Sequence, residues 1–306
     1  MSKSSIVVVG SSNTDMVVKA GRFPVPGETI LGGDFLMTPG GKGANQAVAA
    51  ARLGGKVVFV CKIGNDIFGN RSIDLFKKEG IDTSHILLDN ENPSGVALIT
   101  VDTEGENNIV VASGANGTFL PHDIAYLQDI LTKGSFVLIQ LEIPVETVEY
   151  VAALACSKGA NVVLNPAPAC KLPESIYKNL EIITPNEKEA SMITGIDVND
   201  LDSAKRAAEI IYSKGVKNVI ITMGAKGALV YDGKSFVGIK AQTVVAIDTT
   251  AAGDVFNGAL VVALNEGKRI IEAAEFASKA SAIAVTRLGA QASAPYRDEI
   301  LEEVSK

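Results

Sequence analysis

The segment Asp248-Thr249-Thr250-Ala251-Ala252-Gly253-Asp254 follows the apolar run Val244–Ile247 and opens a helix of small residues. Small side chains let a ligand approach the backbone, and the first amides of a helix lack intrahelical partners. The turn therefore suits an oxyanion or a phosphate. Asp254 falls in the first helical turn. A carboxylate beside an anion nest is better placed to take a proton from an attacking hydroxyl than to bind the anion. An ordinary helix start with an acidic residue is the plain alternative. Pro39-Gly40-Gly41-Lys42-Gly43-Ala44-Asn45 is a second place for close backbone approach, with Lys42 and Asn45 as donors to hydroxyls or phosphates. It fits neither the Walker A nor the dinucleotide glycine frame, and a structural glycine turn is an equal reading.

Three further segments carry polar groups. Asn13 and Asp15 follow the first apolar run. Spaced by two, they share a side of an extended chain and could bind neighbouring hydroxyls, although an Asx turn is equally open. Asn186 and Glu189 share a helical face and could hold Mg2+ through water, but a capping box explains the pair more simply. Thr222-Met223-Gly224-Ala225-Lys226-Gly227 reads as a hairpin turn first and a nucleotide loop second.

These segments need a scaffold. Ile6–Val9, Val57–Val60, Phe136–Ile139, Val162–Leu164, Ile182–Ile183, Val219–Thr222 and Ala228–Tyr231 read as strands. Asn45–Leu53, Ile67–Glu79, Val145–Ser157, Ser203–Tyr212, Gly253–Asn265 and Ile270–Ala284 have helical spacing. Apolar strands alternating with helices predict a three-layer α/β/α domain with a mostly parallel central sheet. Asp15–Val18, Glu28–Leu31 and Asp34–Thr38, then Gly95–Asp102 and Asn108–Ala112, break the rhythm without intervening helices. Both regions should be antiparallel, and they predict a small β-sheet lid built from two insertions, residues about 14–40 and 95–115, on a single domain spanning 1–306. One apolar face of such a sheet should cover a ligand or another subunit.

Composition narrows the classes. The 306 residues carry 28 Lys+Arg against 35 Asp+Glu, a formal charge of -7, which argues against nucleic acid as the main partner. With 47% hydrophobic residues the chain is not disordered. Four apolar residues at the start are too few for a secretory signal, and no run approaches a membrane span, so a cytoplasmic location is expected. Cys61, Cys156 and Cys170 are scattered and read as reduced thiols in or near a core.

Gly40–Asn45 continuing to Gly69, together with Asp248–Asp254, resemble the two signatures of the PfkB family of carbohydrate kinases. Asn165-Pro166-Ala167-Pro168-Ala169 and Thr184–Glu187 are similar to further segments of its pentose kinases, and the resemblance runs from Ile6 to about Pro295. It implies ATP-dependent phosphorylation of D-ribose at the 5-hydroxyl. Another small sugar such as 2-deoxyribose or fructose is the alternative, and a non-catalytic sugar-binding protein a more distant one. By position the resemblance assigns Asn13, Asp15, Gly41, Lys42, Gly43, Asn45 and Glu142 to the sugar. Asp254 is the implied general base, and the Ala251, Ala252 and Gly253 amides the anion hole. Asn186, Thr222, Gly224, Ala225, Lys226, Gly227, Gly253 and Ser278 are assigned to ATP, and Glu189 to Mg2+ through water. A K+ site would draw on Asp248, Thr250, Ala284, Arg287, Gly289 and Ser293. The small sheet would be a lid over the sugar and a homodimer interface.

Overall fold

The computed structural model describes residues 4–303. The first part of the chain forms β1 (Ile6–Val9), β2 (Asn13–Lys19), β3 (Phe35–Gly40), α1 (Lys42–Arg52), β4 (Val57–Gly64), α2 (Ile67–Lys78), β5 (Ile86–Asp89), β6 (Gly95–Val101) and β7 (Asn107–Ala112). The next part forms β8 (Phe136–Ile139), α3 (Val145–Ser157), β9 (Asn161–Leu164), α4 (Glu174–Tyr177), β10 (Ile182–Ile183), α5 (Glu187–Thr194) and α6 (Leu201–Ser213). The chain continues through β11 (Asn218–Thr222), β12 (Ala228–Tyr231), β13 (Phe236–Ile239), α7 (Ala252–Asn265), α8 (Ile270–Ala284) and α9 (Arg297–Glu303).

The main sheet runs β13-β12-β11-β10-β9-β8-β1-β4-β5. From β11 to β5 every neighbouring pair is parallel; β12 and β13 add an antiparallel edge. Its central strands are buried on both faces, hence their unbroken β-branched runs. In β1, Ile6 and Val8 join the core beneath α1, α7 and α8, while Val7 and Val9 join the core beneath α3 and α6. The expected three layers are present. α1 and α7 meet through small residues. A Cβ on Gly258 would lie 2.8 Å from the Ala49 Cβ and 2.8 Å from the Gln46 carbonyl.

The small sheet is present as expected, and each of its two hairpins is antiparallel. Its order is β3-β2-β6-β7. β2 pairs antiparallel with β3, and β6 with β7, but β2 and β6 pair in parallel. Each follows a parallel strand of the main sheet, β1 and β5 respectively, and leaves in the same direction. Glu28–Leu31 is a loop rather than a strand, and it follows a turn at Pro26 and Gly27, the latter at φ +82°. β5 and β13 escape the sequence reading because they are short and only partly buried. Of the cysteines, Cys61 is buried, Cys170 half-buried and Cys156 exposed. Among the described residues no helix is long and apolar enough to cross a membrane.

Candidate active site

The carboxyl end of β1 meets the start of α1, which begins at Lys42 rather than at Asn45. Gly41, at φ +88°, is the residue before the helix, and a Cβ on Gly43 would lie 2.5 Å from the Ser11 nitrogen. Only glycine permits this approach. Glu142 secures the corner: it accepts from the Lys42 amide at 2.9 Å and from the Ser11 hydroxyl. Asn13 and Asp15 lie on β2, so the extended reading holds and the turn reading falls. The Asn13 Oδ1 accepts from Asn116 Nδ2 at 2.8 Å. Asp15 stands against Gly40, where a Cβ would fall 2.2 Å from its carboxylate.

Charge is concentrated here. Burial pushes the Asp15 carboxyl up to about 6, with Glu142 and Asp254 adding to the rise and Lys42 opposing it. Burial alone would lower the Lys42 ammonium, but Asp254, Glu142, Glu189 and Asp15 surround it and the net direction is upward. Lys42 is therefore a fixed cation among carboxylates.

Asp254 lies in the first turn of α7 and is only 4% exposed. Burial raises its carboxyl; Lys42, Asn45 and Gln46 oppose the rise, and Glu142 adds to it. The two oxygens are held separately: Asn45 Nδ2 donates at 2.9 Å to one and Gln46 Nε2 at 3.0 Å to the other. The Asn45 Oδ1 is buried without a protein partner, an acceptor left for a ligand hydroxyl. Gln46, Gln140, Asn116 and Asn257 went unnoticed in the sequence, and Asn165 entered only within a longer segment. Gln140 and Asn165 directly follow β8 and β9, at the strand ends where α/β sheets bind ligands. That position was the available signal.

A cavity of about 550 Å³ opens on the other side of the α7 start. Asn186, Thr222, Gly224, Ala225, Gly227, Gly253 and Ser278 all line it. Lys226 does not; its ammonium reaches Glu187 at 3.0 Å and the Asn199 carbonyl at 2.7 Å. The β11–β12 turn is the expected hairpin, and it also walls the cavity. Asn186 and Glu189 form the capping box: Glu189 accepts from the Asn186 amide at 2.8 Å and from its side chain at 2.9 Å. Burial raises the Glu189 carboxyl against the hydrogen bond from Asn186 and the charge of Lys42. In the anion turn, Ala252 N donates to the Thr249 carbonyl at 3.2 Å, and Ala251 is buried. Gly253 faces open space on the cavity wall.

Behind this turn, Asp248 accepts from the Thr250 amide at 2.9 Å and from the Gly289 amide at 2.9 Å. Burial opposes its ionisation, but the Thr250 and Gly289 hydrogen bonds outweigh it and hold the carboxyl below the usual range. These contacts tie Thr250 and Gly289 to Asp248, while Ala284 accepts from the Arg287 amide at 3.0 Å and Ser293 donates to Ala290 at 2.8 Å.

A buried carboxylate thus stands between a corner of carboxylates, amides and a lysine and a cavity of about 550 Å³. The sequence profile of "pfkB family carbohydrate kinase" matches residues 3–297. The chain belongs to this family. The kinase is 46% identical to the ribokinase of Haemophilus influenzae, with 98% of each chain covered. It is 36% identical to a deoxyribokinase of Salmonella typhi, again with 98% of each covered. The structure of Arabidopsis thaliana ribokinase complexed with ribose and ATP superposes on it with a TM-score of 0.92, at 30% identity over 99% of both chains.

Proposed function

We propose that this kinase transfers the γ-phosphoryl group of ATP to the 5-hydroxyl of D-ribose, giving ribose 5-phosphate and ADP, with Asp254 as general base. The observation that carries the reading is the placing of Asp254: its buried carboxylate lies between the Asn13/Asp15/Asn45 corner and the large cavity. Asn13, Asp15 and the Gly41–Asn45 loop orient the sugar hydroxyls, with Glu142 holding the loop. Asp254 accepts the proton as the hydroxyl attacks phosphorus. The Gly253 amide, with those of Ala251 and Ala252, supports the charge on the transferring group. Ala252 must release its bond to Thr249 to take part. ATP enters as its Mg2+ complex and lies along Asn186, Thr222, the Gly224–Gly227 turn and Ser278. Glu189 meets that Mg2+ through water, since both its oxygens already accept from Asn186.

An alkali cation fits behind the anion turn. The donors there are hard oxygens: an ionised Asp248 and backbone carbonyls between Ala284 and Ser293. Asp248, Thr250, Ala284, Arg287, Gly289 and Ser293 would hold K+, whose charge supports the turn bearing Gly253.

One assay tests the reading. ADP release is followed over D-ribose, 2-deoxyribose, fructose and a nucleoside, in K+ or tetramethylammonium salts. D-ribose should give the highest kcat/KM, with phosphate on its 5-hydroxyl by NMR, and only in K+ at full rate. Highest turnover of 2-deoxyribose would move the enzyme to the activity of its Salmonella relative, and indifference to the cation would remove the K+ site. Asp254→Asn should lower kcat by about 10²–10⁴-fold while ATP still binds.

A further inference from the structure

Asp254 does not stand on α7 alone. One of its oxygens is held by Gln46, a residue of α1 that is wholly buried and touches the oxygen at 3.0 Å. The Gln46 amide nitrogen has two hydrogens, and the second goes to Asn165 Oδ1, also at 3.0 Å. Its carbonyl accepts from Gln140 Nε2 at 2.6 Å. The amide therefore cannot flip without breaking all three bonds at once. Gln140 directly follows β8 and is fully buried; its Nε2 donates to Gln46, and its Oε1, without a protein partner, is confined where a Cβ on Gly10 would lie 2.0 Å away. Asn165 directly follows β9 and donates to the Thr184 carbonyl at 3.2 Å. Burying three carboxamides is costly unless they are hydrogen-bonded, and a Leu or Met would fill the space more cheaply.

We propose that Gln46 is a positioning residue for the reaction: locked by Gln140 and Asn165 to the ends of β8 and β9, it holds the Asp254 carboxylate in the orientation that proton abstraction needs. The proposal rests on Asp254 acting as the base. Asn45 fixes the other oxygen but also has an acceptor free for the sugar, so the two neighbours differ in task. Asn45 couples the base to the substrate. Gln46 couples it to the sheet.

A donor to a carboxylate favours the ionised form, so removing it raises the pH at which the base becomes competent. The charged groups that face Asp254 stay in place in every variant: Lys42 on α1, Asp15 on β2, Glu142 after β8 and Glu189 on α5. A difference between variants therefore reports the amide. Gln46→Met keeps the length and loses the donor. It should lower kcat by about 10- to 100-fold, since small displacements of a catalytic group are costly in rate. The acid limb of the kcat profile should move up by about one to two pH units. KM for sugar and MgATP should stay within about threefold, because Gln46 touches neither.

Asp254→Asn separates the base from its support. A near-normal kcat in Asp254→Asn removes the base, and Gln46 with it. An inactive Asp254→Asn beside a folded, MgATP-binding Gln46→Met with unchanged kcat and acid limb overturns the positioning role alone. If Gln46→Met does not fold, Gln140→Met frees the carbonyl of Gln46 without touching its donor to Asp254. Its acid limb should move the same way by a smaller amount, and an unmoved limb overturns the proposal.

Discussion

Asp15 bears a cost in the ligand-free enzyme. Its carboxyl titrates near 6 in the fold against 3.8 as the ordinary value, chiefly through burial. A carboxyl raised by folding binds more protons in the native state, so its effect on stability worsens as pH climbs from about 4 to about 6 and is fully unfavourable above that. Asp15→Asn should therefore stabilise the sugar-free protein at pH 7, by on the order of 1–3 kcal/mol, and the gain should vanish near pH 4. The same change should raise KM for the sugar. Thermal melts at the two pH values check the first part; a melting midpoint unchanged at pH 7 would show that Asp15 is not strained. At this scale the sequence was informative where a residue type is rare for its setting. Asp254 beside alanines and glycines, or Lys42 between glycines, stand out. Gln46 and Gln140 do not, because glutamine is usually a surface residue and nothing in the sequence says that these are buried.

Helices α1 and α7 carry the two halves of the proposed reaction centre, and their separation is set by small side chains. Gly258 faces Ala49, the Gln46 carbonyl and the Ala50 nitrogen, all within 3.0 Å of where an added Cβ would lie. Gly258→Ala must push the helices apart, at a cost of about 1–3 kcal/mol. Because Asn45 and Gln46 lie on α1 and Asp254 on α7, kcat should fall as well, although the substituted residue touches no substrate. Calorimetry with steady-state kinetics tests both; a loss of stability with kcat unchanged would mean that the reaction centre tolerates the shift. Element types were largely readable because each carries its own period. The pairing of β2 with β6 was not: no helix lies between either strand and its hairpin partner, so nothing local announces a parallel neighbour about eighty residues away.

At the scale of the whole molecule, the lid leaves a set of large apolar side chains exposed. Leu36, Val17, Ile99 and Ile109 are in register across its four strands, two residues along β2 from Asp15 and so on the same face. Leu36 and Ile109 are 52% and 48% exposed, and all of β7 is exposed. An apolar row at the mouth of a sugar site is proposed to be covered by the lid of a second copy. Ile109→Lys should leave the fold intact, convert dimer to monomer in light scattering and raise KM for the sugar. A variant that remains dimeric would place the interface elsewhere. The sequence pointed to an apolar face in need of cover, and Leu36, Val17, Ile99 and Ile109 form the row proposed to meet it.

The bonds from Asn45 and Gln46 to Asp254 join residues 209 and 208 positions apart. On the ribosome, α1 emerges long before α7 does. At about 5–20 residues per second, roughly 10–40 s pass before its alanine face finds the helix it was built to meet. During that interval the nascent chain exposes a stretch of small apolar residues with no partner, and no half-made protein can bind sugar and transfer phosphate. The proposed reaction centre closes only when synthesis is nearly complete, so chains that end before α7 should be inert.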